Sequence, residues 1–124
     1  MLMFAVIGAV LFATPASADG ASTMTDRCVQ TTVSRSGQTI LEIRVYNVCD
    51  YTLGMVDGHA FNTSAGLDVR SGARIDLRAG QSFGWAWMGG WPTPAAYGSW
   101  TCGEIWGPGG YLYGRDCVQM GNPA

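Results

Sequence analysis

The chain has 124 residues, a formal net charge of −2, and charged side chains at only 13% of positions. Every basic residue is arginine, none are clustered, and the pI is near 5.0. That argues against a surface built to neutralise nucleic-acid phosphates or anionic lipid. Eighteen glycines and five tryptophans instead suit a turn-rich β protein with bulky aromatics.

Residues 1–18 read as a secretory signal peptide. Leu2 to Phe12 is an apolar run, Thr14-Pro15 breaks it, and Ala16-Ser17-Ala18 supplies the small residues of a cleavage site. The run is too short for a membrane span, and no stop-transfer segment follows. The mature protein is expected to begin near Asp19 and to be secreted or periplasmic. In that compartment Cys28, Cys49, Cys102 and Cys117 are disulfide partners sooner than metal ligands or nucleophiles. Residues 19–26 form a polar lead-in, and 27–124 suffice for a single domain.

From Cys28 the pattern has period two. Val29, Thr31 and Val33 alternate with polar neighbours, and Arg35-Ser36-Gly37-Gln38 is turn chemistry. Thr39 to Asn47 follows, with Leu41, Ile43 and Val45 on one face. Matching the apolar faces pairs Val33 with Leu41 and Val29 with Val45 in a hairpin. Tyr51 to Val56 is a shorter strand, and 57–66 reads as a loop holding His59 and Asn62. Gly66 to Val69 is a brief strand. Arg74 to Arg78 alternates with Ile75 and Leu77 inward, and Phe83, Trp85 and Trp87 share the inward face of the next strand. Residues 88–98, with paired glycines, two prolines and Trp91, read as a surface loop.

Trp100 to Trp106 and Leu112 to Cys117 pair as a second hairpin around Pro108-Gly109-Gly110-Tyr111. Centring the register between the two glycines sets Cys102 opposite Cys117, Glu104 opposite Arg115 and Trp106 opposite Tyr113. All three are favourable cross-strand combinations. Four cysteines allow three pairings; this register prefers Cys102–Cys117, which leaves Cys28–Cys49 and requires a bulge near Val48. The fold expected is all-β: a small antiparallel β-sandwich with two disulfides.

Catalytic chemistry has little support. His59 is the single histidine, with Asp57 nearby, but no nucleophile elbow accompanies it, and it reads as a surface-loop residue. Glu42 and Glu104 each sit near an arginine on outward strand faces, which suits solvated pairing better than glycoside hydrolysis. Asp57, Asp68 and Asp76 lack the spacing of a calcium loop. No cofactor and no metal are expected. The aromatic residues between Trp85 and Tyr113 are the functional signal. Trp85 and Trp87 are assigned to the core, whereas Trp91, Trp106 and Tyr113 are the candidate binding residues. Flat rings on a β face stack on sugars and also anchor protein interfaces. A carbohydrate-binding protein is therefore the first expectation, and a secreted protein-binding module, such as an inhibitor or interaction factor, the alternative.

Ile43-Arg44-Val45-Tyr46-Asn47-Val48-Cys49-Asp50-Tyr51-Thr52-Leu53 resembles the opening strand and N-x-C-x-Y-T pattern of thaumatin-like proteins. Leu77-Arg78-Ala79-Gly80-Gln81-Ser82 is similar to their L-x-x-G-x-S turn. The same pattern is found in small exported bacterial proteins of unassigned function. The resemblance implies an antiparallel β-sandwich and carries over no functional residue, because the acidic cleft of those proteins has no counterpart here.

Overall fold

The computed structural model describes residues 28–86 and 93–121; the expected signal peptide and lead-in, Trp87 and Trp91 lie outside them. Among the described residues nine strands form two antiparallel sheets. The first sheet contains β1 (Val29–Ser36), β2 (Thr39–Asn47), β6 (Ser82–Ala86) and β7 (Thr93–Pro94), with β2 between β1 on one side and β6 and β7 on the other. The second has the order β4 (Leu67–Arg70), β3 (Leu53–Asn62), β8 (Trp100–Gly107), β9 (Tyr111–Gln119), and β5 (Ile75–Leu77) also pairs with β3. Among the described residues no helix is long and apolar enough to cross a membrane. The architecture is the expected all-β sandwich.

The first hairpin turns at Gly37, whose φ of 60° lies in the left-handed region that glycine enters without penalty. Its register differs from the expected one. Val33 faces Ile43 and Val29 faces Asn47, with an irregularity between Ser34 and Arg35 that leaves Leu41 without a partner. The physical reason lies in the core. Ile40, Ile43 and Val45 are all fully buried, and residues 40 and 43 have opposite parity in a regular strand. A bulge between them turns both inward. The bulge thus sits near the hairpin tip and not at Val48. Cys28–Cys49 forms nonetheless, because Val48 N–H donates to the Cys28 carbonyl at 2.9 Å and the chain turns immediately afterwards.

The second sheet corrects the reading of residues 57–66. They begin as the continuation of β3, a ten-residue central strand flanked on both sides. Gly58 and Ala60 face the other sheet, so Asp57, His59 and Phe61 form the outer face of a strand. In β5 only Leu77 reaches the core; Ile75, paired with Val56 beyond an irregularity in β3, is exposed. In the second hairpin Cys102 faces Cys117 and Glu104 faces Arg115, and the Cys102–Cys117 disulfide closes as expected. Fixing a sequence separation of 15 contributes roughly 3 kcal/mol on the chain-entropy estimate. The third expected pair is absent. A bulge at Ile105/Trp106 sets Trp106 opposite Leu112, and Tyr113 is the extra residue.

Ile40, Ile43, Val45, Phe83 and Trp85 from the first sheet meet Leu53, Val56, Ala60, Ile105 and Val118 from the second. Buried polar groups in this core are satisfied. Asn47 donates its amide to the Tyr51 and Leu77 carbonyls at 2.9 and 3.0 Å and accepts from Cys49 N–H at 2.9 Å. That one side chain joins the end of β2 to β5 and sets the turn that carries the first disulfide. On the opposite side Asp116 Oδ2 accepts from Thr31 N–H, and Thr31 Oγ donates to the Asp116 carbonyl, both at 2.7 Å.

The sheets approach closely at Gly103. A Cβ there would collide with Thr31 Oγ1 and Val45 Cγ2, neither of which can retreat from its buried position. At Gly84 a Cβ would meet the Arg44 side chain at 3.4 Å, a flexible neighbour that can move aside. Gly103→Ala should therefore lower Tm by roughly 10 °C or more through overpacking, while Gly84→Ala leaves it nearly unchanged. Equal melting curves for the two variants in a calorimetric series would disprove the close approach.

Candidate functional site

The outer face of the second sheet gathers most of the polar chemistry. On β8, Gly103 and Ile105 face the core, so Cys102, Glu104 and Trp106 point the other way. In register, Arg70 on β4 faces His59 on β3, His59 faces Glu104 on β8, and Glu104 faces Arg115 on β9. One row of charged side chains thus crosses four strands. Beside it lie Phe61 and the Cys102–Cys117 disulfide on one flank, and Asp57 with Trp106 on the other.

Glu104 organises this row. It was expected on a solvated face, yet it is only 3% exposed, because His59, Trp106 and Arg115 close over it. Its Oε1 lies 2.7 Å from His59 Nδ1 and accepts from Trp106 Nε1–H at 2.9 Å. Its Oε2 accepts from Arg115 Nε at 2.6 Å and lies 2.6 Å from Arg115 Nη2. Burial alone would raise the Glu104 pKa. The hydrogen bonds from His59, Trp106 and Arg115, with the Arg115 charge, outweigh it and hold the carboxyl below its usual value near 4.5.

His59 is likewise no surface-loop residue. It is 8% exposed, stacks on Phe61 with ring centroids 5.0 Å apart, and places Nε2 2.6 Å from Asp68 Oδ1. Both ring nitrogens are thus engaged by carboxylate oxygens, one on each edge of the ring. Neither nitrogen is left to take a proton from a hydroxyl nucleophile. Nor do the three groups converge on a point where an ion could sit, since Glu104 and Asp68 lie on opposite edges of the ring. Among the described residues no grouping of His, Cys, Asp and Glu is arranged to hold a metal ion. Asp57, opposite Trp106, keeps Oδ1 buried without a hydrogen bond; Arg74 Nη2 stands 3.6 Å from it, an attraction of charge alone.

The row floors a shallow, open depression of about 580 Å³, with Thr63, Asp68 and Arg70 on one bank and Trp106 and Arg115 on the other. Of the three binding residues expected from sequence, Trp106 lies in this depression, half-buried. Tyr113 does not join it. The bulge turns its ring over Gly107 and against the core, where it meets Tyr111 edge-on at 4.9 Å. Trp91 lies outside the described residues. His59, Asp68 and Arg70 were not singled out from sequence as binding residues. The alternation Asp57-His59-Phe61, read as a strand face and not as a loop, is the signal that would have found His59. Comparison with protein-family models, with curated proteins and with solved structures finds no match for this chain.

The lowered Glu104 pKa fixes the sign of a pH effect. A carboxyl depressed in the folded state contributes stability fully present above its unfolded value, and that stability is lost as pH falls through the folded one. Tm should therefore drop progressively below about pH 4.5. In Glu104→Gln the loss of charge-assisted bonds costs on the order of 2 kcal/mol at neutral pH, and the acid-dependent drop becomes shallower. Parallel Tm–pH curves for the two proteins would remove Glu104 from this role.

Proposed function

We propose that this is an exported, non-catalytic carbohydrate-binding protein whose binding face is the outer surface of the second sheet. The observation that carries the reading is Trp106. Its indole is half-buried at the edge of an open depression, its N–H is bound to Glu104, and its surroundings offer hydrogen-bonding groups from Thr63, Asp68 and Arg115. A fixed ring beside charged and hydroxyl groups suits a sugar, which presents an apolar face and a rim of hydroxyls. The occupied nitrogens of His59 support a binding role over a catalytic one. Two formed disulfides, together with the apolar run and small residues of 2–18, support export to an oxidising compartment.

A protein-binding module is the second reading, and Met55 favours it. This residue has φ 53°, unusual for a non-glycine residue, and is 54% exposed. Asp76 accepts from its N–H at 3.0 Å and Arg74 donates to its carbonyl at 2.9 Å, so both polar groups of the strained unit are held. Strain that holds an apolar side chain in solvent is consistent with a partner contact.

Two measurements check these proposals. The intact mass of the protein recovered after expression from the full gene should correspond to a chain beginning at Asp19 with no free thiol; an unprocessed or reduced product contradicts export. A glycan array probed with the oxidised protein should show retention that Trp106→Ala reduces by tenfold or more and Met55→Gly leaves unchanged. An array with no retained glycan, or loss caused by Met55→Gly instead, rejects the carbohydrate reading.

A further inference from the structure

The charges along the depression narrow the ligand further, and this step rests on the carbohydrate reading above. Two arginines, Arg70 and Arg115, close the ends of a row that also holds Glu104, Asp68 and the His59 ring bonded to both carboxylates. These charges are not equally accessible. His59 and Glu104 are buried and bonded to each other at 2.7 Å, so a ligand meets chiefly the two arginines and Asp68.

The two guanidinium groups have unused donors. Arg70 is exposed, borders the depression, and its side chain has no hydrogen-bond or ion-pair partner among the described residues. Arg115 commits Nε and Nη2 to Glu104, and Nη1 is not engaged. Asp68 bonds His59 through Oδ1, and its side chain is 69% exposed, which leaves Oδ2 as an acceptor for a hydroxyl.

Spacing then sets the direction in which a ligand lies. Arg70 and Arg115 stand on the first and fourth strands of the sheet. Three steps of about 4.8 Å put their backbones roughly 14 Å apart. An oligosaccharide lying across the strands can present acid groups along that span. Trp106 flanks the row two residues beyond Glu104 and is placed to stack on an intervening ring.

We propose that the ligand is a carboxylate-bearing oligosaccharide lying across β4, β3, β8 and β9, with acid groups at Arg70 and Arg115 and a sugar ring on Trp106. A guanidinium fork matches the planar carboxylate in a paired hydrogen bond. Asp68 Oδ2 receives a sugar hydroxyl between the two cations.

Isothermal titration of the oxidised protein with a galacturonic acid oligomer, its methyl ester and a poly-glutamate peptide tests this. The ester keeps the rings and removes the charge; the peptide keeps the charge and removes the rings. The expected result is binding of the acid oligomer, at least tenfold weaker binding of the ester, and still weaker binding of the peptide. Arg70→Gln, on an exposed side chain, should weaken the acid oligomer roughly tenfold, the scale of one charge-assisted hydrogen bond, and leave the ester unchanged. Acid and ester bound equally, or Arg70→Gln without effect, overturns the acidic ligand while leaving the carbohydrate reading in place. Peptide bound as tightly as the acid oligomer overturns the sugar component. Failure to bind either saccharide, with other glycans retained on the array, overturns this inference alone; no retained glycan at all overturns both.

Discussion

A carboxylate removed from water and surrounded by donors is the constraint on which the second sheet depends. Taking one ion out of solvent costs several kcal/mol before its partners are counted. Glu104 recovers that cost only if His59, Trp106 and Arg115 all reach it, and each comes from a fixed register position. Slipping β8 by one residue against either neighbour would turn Glu104 into the core and leave Arg115 unpaired. The polar row therefore acts as a register lock, in addition to the disulfide two residues away. Substitution of Glu104 by an apolar residue of similar volume would remove the lock without leaving a buried charge, a different consequence from loss of one donor.

Asn47 does comparable work where no charge is involved. Its side chain spans a strand end, a turn and a strand of the other sheet, so the first disulfide and the packing of Leu77 depend on one buried amide. Polar groups thus fix the alignment of the two sheets, while the aliphatic core, which accepts many alignments of similar volume, supplies the attraction.

Much of this was legible in the sequence because period-two patterning reports strand faces directly. The first hairpin, the strands from Trp100 onward, the Cys102–Cys117 disulfide and the Glu104–Arg115 pair follow from alternation and turn residues, and Cys28–Cys49 follows by elimination. The bulges did not follow. Leu41 and Tyr113 become unpaired because the core needs Ile40 together with Ile43, and Gly107 with an aromatic cover, and those demands arise only once two sheets meet. His59 was hidden for a related reason. A central strand with Gly58 and Ala60 facing inward has the composition of a loop, since close sheet contact selects small residues where sequence rules look for Val or Ile. Of the site, Trp106 and the glutamate–arginine pair were visible, whereas the burial that joins them to His59 depends on four strands at once.

The contact between Thr31 and Asp116 has a consequence for association between molecules. β1 is one border of the first sheet and β9 one border of the second, and an unpaired border strand is a template on which another chain can add. Here a side-chain carboxylate occupies the Thr31 amide that an incoming strand would use, and the Thr31 hydroxyl occupies the Asp116 carbonyl of the facing border. The two borders cap each other. A strand adding at this point of either border would first have to break one of these two hydrogen bonds.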